Sequence, residues 1–102
     1  MAAEHALGPM DAIPKGEGRN YAVAGIEIAV FRTHADAVFA TQALCPHKSG
    51  PLADGLVGGT TLLCPLHERG YDLQTGKGLG NPDCLTCYPI RLAGDGAMFV
   101  TV

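Results

Sequence analysis

Apolar and polar positions along this chain change over at short intervals, and no window holds a helical period. The clearest run is I-E-I-A-V-F at 26–31, whose β-branched residues predict a strand. Y-A-V at 21–23 predicts its partner, with Ala24-Gly25 as the turn between them. A turn at 33–36 and a strand at 37–42 follow. Upstream, residues 5–7 predict a short first strand, Gly8-Pro9-Met10-Asp11 a turn, and 13–18 a loop. Downstream, Gly50-Pro51 and Asp54-Gly55 punctuate the chain. Gly58-Gly59 predicts a tight hairpin turn between 56–57 and 60–63. Residues 70–73 predict a strand closed by Thr75-Gly76, and 76–82 a glycine-rich loop. The last two strands are predicted at 86–92 and 98–102, joined by Ala93-Gly94-Asp95-Gly96. Short strands separated by turn signals, with no βα alternation, predict an all-β domain.

Size and composition narrow the class. A chain of 102 residues is expected to be one domain with a modest core, small enough to benefit from a cofactor that staples it. A formal charge of −3 with no basic run argues against a nucleic-acid partner. No apolar run approaches the roughly 20 residues of a membrane span. The N-terminus lacks the basic and then apolar regions of a signal peptide, so a cytoplasmic protein is expected. Four cysteines could form two disulfides in a secreted domain, but nothing else here argues for secretion.

The chemistry concentrates in two short blocks. Cys45-Pro46-His47 and Cys64-Pro65-Leu66-His67 bracket sixteen residues, and each offers one thiolate and one imidazole. The proline after each cysteine fixes a backbone angle and removes a donor, so the blocks read as two similar loop tips. Two Cys and two His suit either tetrahedral zinc or an iron–sulfur cluster with mixed ligands. The one-residue spacer of the first block is unusual for zinc. A competing zinc set is Cys64 and His67 with Cys84 and Cys87, also sixteen residues apart, but it leaves Cys45 and His47 unused. Outside a metal site, Cys84 and Cys87 read as packing residues, and His5 and His34 as surface residues.

The pattern C-x-H, sixteen residues, C-x-x-H resembles the Rieske family of [2Fe–2S] proteins. The likeness extends to His47-Lys48-Ser49-Gly50-Pro51-Leu52 and to Tyr71-Asp72-Leu73-Gln74-Thr75-Gly76. It implies an antiparallel β-sandwich over 1–102 with a small cluster-binding subdomain at about 43–82. It implies that Cys45 and Cys64 hold an inner iron, and that His47 and His67 hold an outer iron and face solvent. Pro82 is similar to the family's third loop, which covers the cluster. High-potential members carry a disulfide between the ligand loops, but Gly50 and Leu66 stand at those positions here. Those members also carry a serine where this chain has Arg69, and a tyrosine matched by Tyr71. Losing the serine lowers the potential and keeping the tyrosine partly restores it, so a low-potential ferredoxin is expected. Tyr71 is read equally as a sulfur donor and as a core aromatic with its hydroxyl at the surface.

No nucleophile–base set, GxGxxG or phosphate loop is present. The resemblance therefore implies an electron carrier, not an enzyme by itself, passing single electrons from a flavin-dependent NAD(P)H reductase to a terminal oxygenase. The alternative is the small subunit of an assimilatory nitrite reductase, whose partner would be the large subunit. The free ferredoxin is favoured on the expectation that so short a chain is complete. A third reading is a structural module held together by zinc. The docking surface is expected around His47 and His67, with Pro46, Leu66 and Pro82 as an apolar rim and Lys48 and Glu68 as charges.

Overall fold

A computed structural model describes residues 3–45, 50–64, 70–80 and 82–102. Among these residues eleven strands form three antiparallel sheets: β1 (Glu4–Pro9), β2 (Glu17–Val23), β3 (Ile26–Arg32), β4 (Val38–Gln42), β5 (Leu56–Gly58), β6 (Thr61–Leu63), β7 (Gly70–Asp72), β8 (Gly78–Leu79), β9 (Cys87–Tyr88), β10 (Ile90–Leu92) and β11 (Ala97–Thr101). Their orders are β1-β11-β10, β2-β3-β4-β9 and β5-β6-β7-β8. The all-β expectation holds among the described residues, where the only helices are single 3₁₀ turns at Met10–Ala12 and Leu52–Asp54. No helix there is long and apolar enough to cross a membrane.

Strand β3 organises the packing because both of its faces are covered. Ile28, Ala29, Val30 and Phe31 are all buried. Side chains alternate along a strand, so Ile28 and Val30 enter one core while Ala29 and Phe31 enter another. The first core joins Ile13, Val38 and Ala40 to Met98 and Val100 of β11. This is the sandwich of the first two sheets. The second core joins Phe31 to Leu52, Val57, Leu62, Tyr71, Leu73 and Leu85, and it also contains Cys45 and Cys64. The small third sheet thus packs its inner side chains against the back of β3.

Several element boundaries differ from the sequence expectation. Strand β2 begins at Glu17, inside the expected 13–18 loop, because it pairs residue for residue with β3 from Glu17↔Arg32 to Val23↔Ile26. Gly18 can lie within it because the Phe31 ring occupies the space a side chain would need; a Cβ there would stand 2.6 Å from that ring. Ala24 and Gly25 form the expected turn, both with positive φ (51° and 78°), as the two-residue hairpin twist requires. The second hairpin turn is Gly59-Thr60, one residue later than expected, since Gly58 pairs with Thr61. The expected loop at 76–82 contains β8, paired to β7. The expected strand 86–92 is broken at Pro89: β9 pairs with β4, and β10 pairs with β11. A proline cannot donate to a ladder, and here it marks where the chain changes sheet.

Candidate metal centre

Two loop stems carry the cysteines. The first begins at the end of β4 and is clamped at its base. Leu44 forms a bridge with Pro51, the Cys45 N–H donates to the Gly50 carbonyl at 2.8 Å, and the Leu52 N–H donates to the Ala43 carbonyl at 3.0 Å. Leu52 and Ala53 then bury themselves in the 3₁₀ turn. The second stem is the β6–β7 hairpin, closed by the pair Leu63↔Gly70, with Cys64 directly after β6. His47, His67 and Arg69 lie outside the described residues, as do Pro46, Lys48, Leu66 and Glu68 of the expected docking rim.

Gly55 lets the two stems approach each other. Its N–H caps the 3₁₀ turn by donating to the Leu52 carbonyl at 2.9 Å. A Cβ on it would collide with the Leu63 carbonyl oxygen, next to Cys64, and would stand 3.0 Å from Leu62 Cδ1 and 3.1 Å from the Leu52 carbonyl oxygen. Gln42 adds a tie that the sequence did not signal. Its amide donates to the Leu44 carbonyl at 2.7 Å and accepts from the Thr86 N–H at 2.9 Å, joining the first stem to the segment that leads into β9.

Cys45 and Cys64 are each 2% exposed and share one apolar core with Tyr71. The Tyr71 side chain is fully buried, and its hydroxyl lies 3.5 Å from Cys45 Sγ. Tyr71 is thus a core aromatic, but its hydroxyl is aimed at a cysteine sulfur and not at the surface, which corrects the second of its two sequence readings. Burial raises its pKa strongly, and the Cys45 hydrogen bond and the nearby Cys45, Asp83 and Cys64 raise it further. The phenol stays protonated at neutral pH and keeps its O–H to donate.

The other cysteines are placed differently. Cys84 and Cys87 are exposed, which corrects the expectation that both are packing residues. Cys84 forms an isolated bridge with Lys77, outside the strands, whereas Cys87 of β9 pairs with Thr41 of β4. The Cys87 thiol lies 3.9 Å from the carbonyl oxygens of Leu73 and Leu85. Although the residue is exposed, its thiol is partly buried; that desolvation, and then the Asp72 charge, raises its pKa, which disfavours the thiolate a metal needs. Among the described residues no three His, Cys, Asp or Glu side chains gather to hold a metal, so Cys64, Cys84 and Cys87 are not brought together as the zinc reading required. None of the four cysteines is in a disulfide. Pro82 is exposed, and His34 is exposed while His5 is half-buried.

A family model for the Rieske [2Fe–2S] domain matches residues 3–89. The anthranilate 1,2-dioxygenase ferredoxin subunit of Burkholderia cepacia is 35% identical, covering 100% of this chain and 94% of its own. The ferredoxin component of the naphthalene 1,2-dioxygenase/salicylate 5-hydroxylase systems of a Ralstonia species is 34% identical over 81% of each chain. A solved Mycobacterium tuberculosis protein, described as an NADH-dependent nitrite reductase small subunit, superposes with a TM-score of 0.90. It covers 100% of this chain and 96% of its own, and at 21% identity it speaks to the fold alone.

Proposed function

The chain belongs to the Rieske [2Fe–2S] domain family, and from that premise we propose that it carries single electrons from a flavin-dependent reductase to a terminal oxygenase. It works as one component of an oxidoreductase system and not as a catalyst by itself. The observation that carries this reading is the pair of buried thiols in one core, with a buried phenol on one of them. That donor set fits the group. Cys45 and Cys64 would hold one iron, and His47 and His67 the other. When bound, the cluster takes up one electron and returns it. The residues around it do the rest: Leu52, Leu62 and Leu73 keep water from the thiolates, and imidazoles in place of two thiolates reduce the negative charge and raise the potential. We assign one domain over 1–102, with 43–82 as its cluster-bearing part, Pro82 and Arg69 at its edge, and the cytoplasm as its setting.

The test is direct. Purified protein should be red-brown, with two irons and two labile sulfides per chain as this cluster type requires. It should be reduced by NADH through the organism's own flavoprotein reductase. Colourless protein with one bound zinc overturns the reading. Electron delivery to a nitrite reductase large subunit instead of an oxygenase would move it to the alternative system.

Tyr71 should tune the potential. A metal-bound cysteine sulfur has no proton, so the phenol is the donor, and the bond strengthens when the centre carries one more negative charge. Hydrogen bonds to charged groups are worth about 1.5–3 kcal/mol in all, of which the difference between redox states is about 1 kcal/mol. About 59 mV corresponds to roughly 1.4 kcal/mol for one electron. Tyr71→Phe should therefore lower the potential by about 40 mV, with iron content unchanged. Protein-film voltammetry on both proteins measures it, and a shift below about 10 mV excludes the tuning role.

A further inference from the structure

The outer face of the small sheet carries a row of leucines beside Cys64. The register Leu56↔Leu63, Leu63↔Gly70 and Gly70↔Leu79 sets four residues in line across β5, β6, β7 and β8. Their neighbours Val57, Leu62 and Tyr71 point inward and are buried, so this row faces out. Leu56 is 66% exposed, Leu63 46% and Leu79 49%. Gly70 completes the row without interrupting it. A Cβ there would already be 3.6 Å from Leu79 Cβ and 3.7 Å from Leu63 Cδ2, so the two leucine side chains close over the glycine.

Such exposure is selective. Among the described residues six large apolar side chains are exposed, and three of them form this row; a fourth, Leu44, directly precedes Cys45. Leu63 directly precedes Cys64, and Gly70 pairs with Leu63. The next row out is Gly58, Thr61 and Asp72, with Lys77 paired to Asp72 through its carbonyl. An apolar strip with a mixed polar edge is the anatomy of a protein interface.

We propose that this row is a docking surface for the flavin-dependent reductase, a protein that meets it with an uncharged, apolar patch beside its own redox centre. This inference rests on the electron-carrier reading above. Leu63 directly precedes Cys64, so a partner seated on Leu63 lies one residue along the chain from a candidate ligand of the centre. Three half-exposed leucines make a strip of a few hundred Å². That falls well short of the roughly 2,000 Å² or more of a permanent dimer and suits a transient redox contact below about 1,200 Å². With Asp72 and Lys77 offsetting each other at the edge, the contact acts through apolar burial and is insensitive to salt.

The test uses the intact cluster-loaded protein, with the flavoprotein reductase of the organism that encodes it as the probe. The variant L63Q/L79Q should raise the KM for this protein about tenfold. Its kcat, visible spectrum and potential should be unchanged, and the ratio to wild type should be the same at low and high salt. I26Q/L92Q, on exposed apolar residues elsewhere, should match wild type. If L63Q/L79Q fails to hold its cluster, L56Q, on the most exposed leucine, is judged by the same criteria. An unchanged KM overturns the docking role. So does a wild-type protein that sediments as a dimer which these substitutions dissolve, since the row would then be a contact between copies. If wild-type protein accepts no electrons at all, the electron-carrier reading fails together with this one; a defect confined to the leucine variants separates the two.

Discussion

Alanine at Cys45, Cys64, His47 or His67 should give colourless protein with its iron and labile sulfide lost, while Cys84→Ala and Cys87→Ala should keep the wild-type spectrum. The contrast follows from where the thiols lie. Cys45 and Cys64 are held together in one water-excluding core, whereas Cys84 and Cys87 are exposed and pair with separate partners, Lys77 and Thr41. Binding free energy at a metal centre is folding free energy when the site does not exist in the unfolded chain, so the four ligand variants should also unfold at lower temperature. Cys45→Ala should carry a further cost. It strips the buried Tyr71 hydroxyl of its sulfur partner, and an unsatisfied buried hydroxyl costs about 1–3 kcal/mol. Cys45→Ser should recover part of that stability without recovering the colour. Iron and sulfide analysis and thermal melts on the six alanine variants and the serine variant decide the matter, and loss of iron from Cys84→Ala would reinstate the zinc set.

The candidate ligand pattern is legible because its chemistry is written in residue type and spacing, which folding does not alter. Strand β3 was legible for a similar reason, since I-E-I-A-V-F leaves little else for the backbone to do. What escaped depends on partners distant in sequence. Gly18, Arg19 and Asn20 are weak strand formers, yet they extend β2 because β3 offers a full ladder and the Phe31 ring fills the space over Gly18. The break at Pro89 could be seen as a proline, but not as a change of sheet. Tyr71 was left between two roles because its distance to Cys45 is set by β7, one strand beyond the hairpin partner that positions Cys64. The leucine row needs the register of four strands before its members line up at all, and a hairpin turn misplaced by one residue sets Leu56 opposite Thr61 instead of Leu63.

Gly55→Ala should damage the centre without touching any candidate ligand. Gly55 has φ −74°, which any residue adopts, so the demand is for space and not for backbone freedom. The space is taken by the Leu63 carbonyl, with Leu62 Cδ1 and the Leu52 carbonyl close by. A methyl group there must push the 3₁₀ turn, and with it the stem of the first loop, away from β6 and Cys64. Overpacking of this kind costs about 1–3 kcal/mol. At about 4–8 °C per kcal/mol for a domain near this size, the midpoint of thermal bleaching should fall by roughly 5–20 °C. Iron loss to a chelator should also be faster than in wild type, because the stems carrying the two cysteines no longer hold a fixed separation. Gly58→Ala is the control: it lies in the adjacent hairpin with no atom within 4 Å of the added Cβ, and should bleach at the wild-type midpoint. Equal midpoints for the two variants would mean that the stems relax around the methyl group, and that the close approach at Gly55 does not set the spacing of the cysteines.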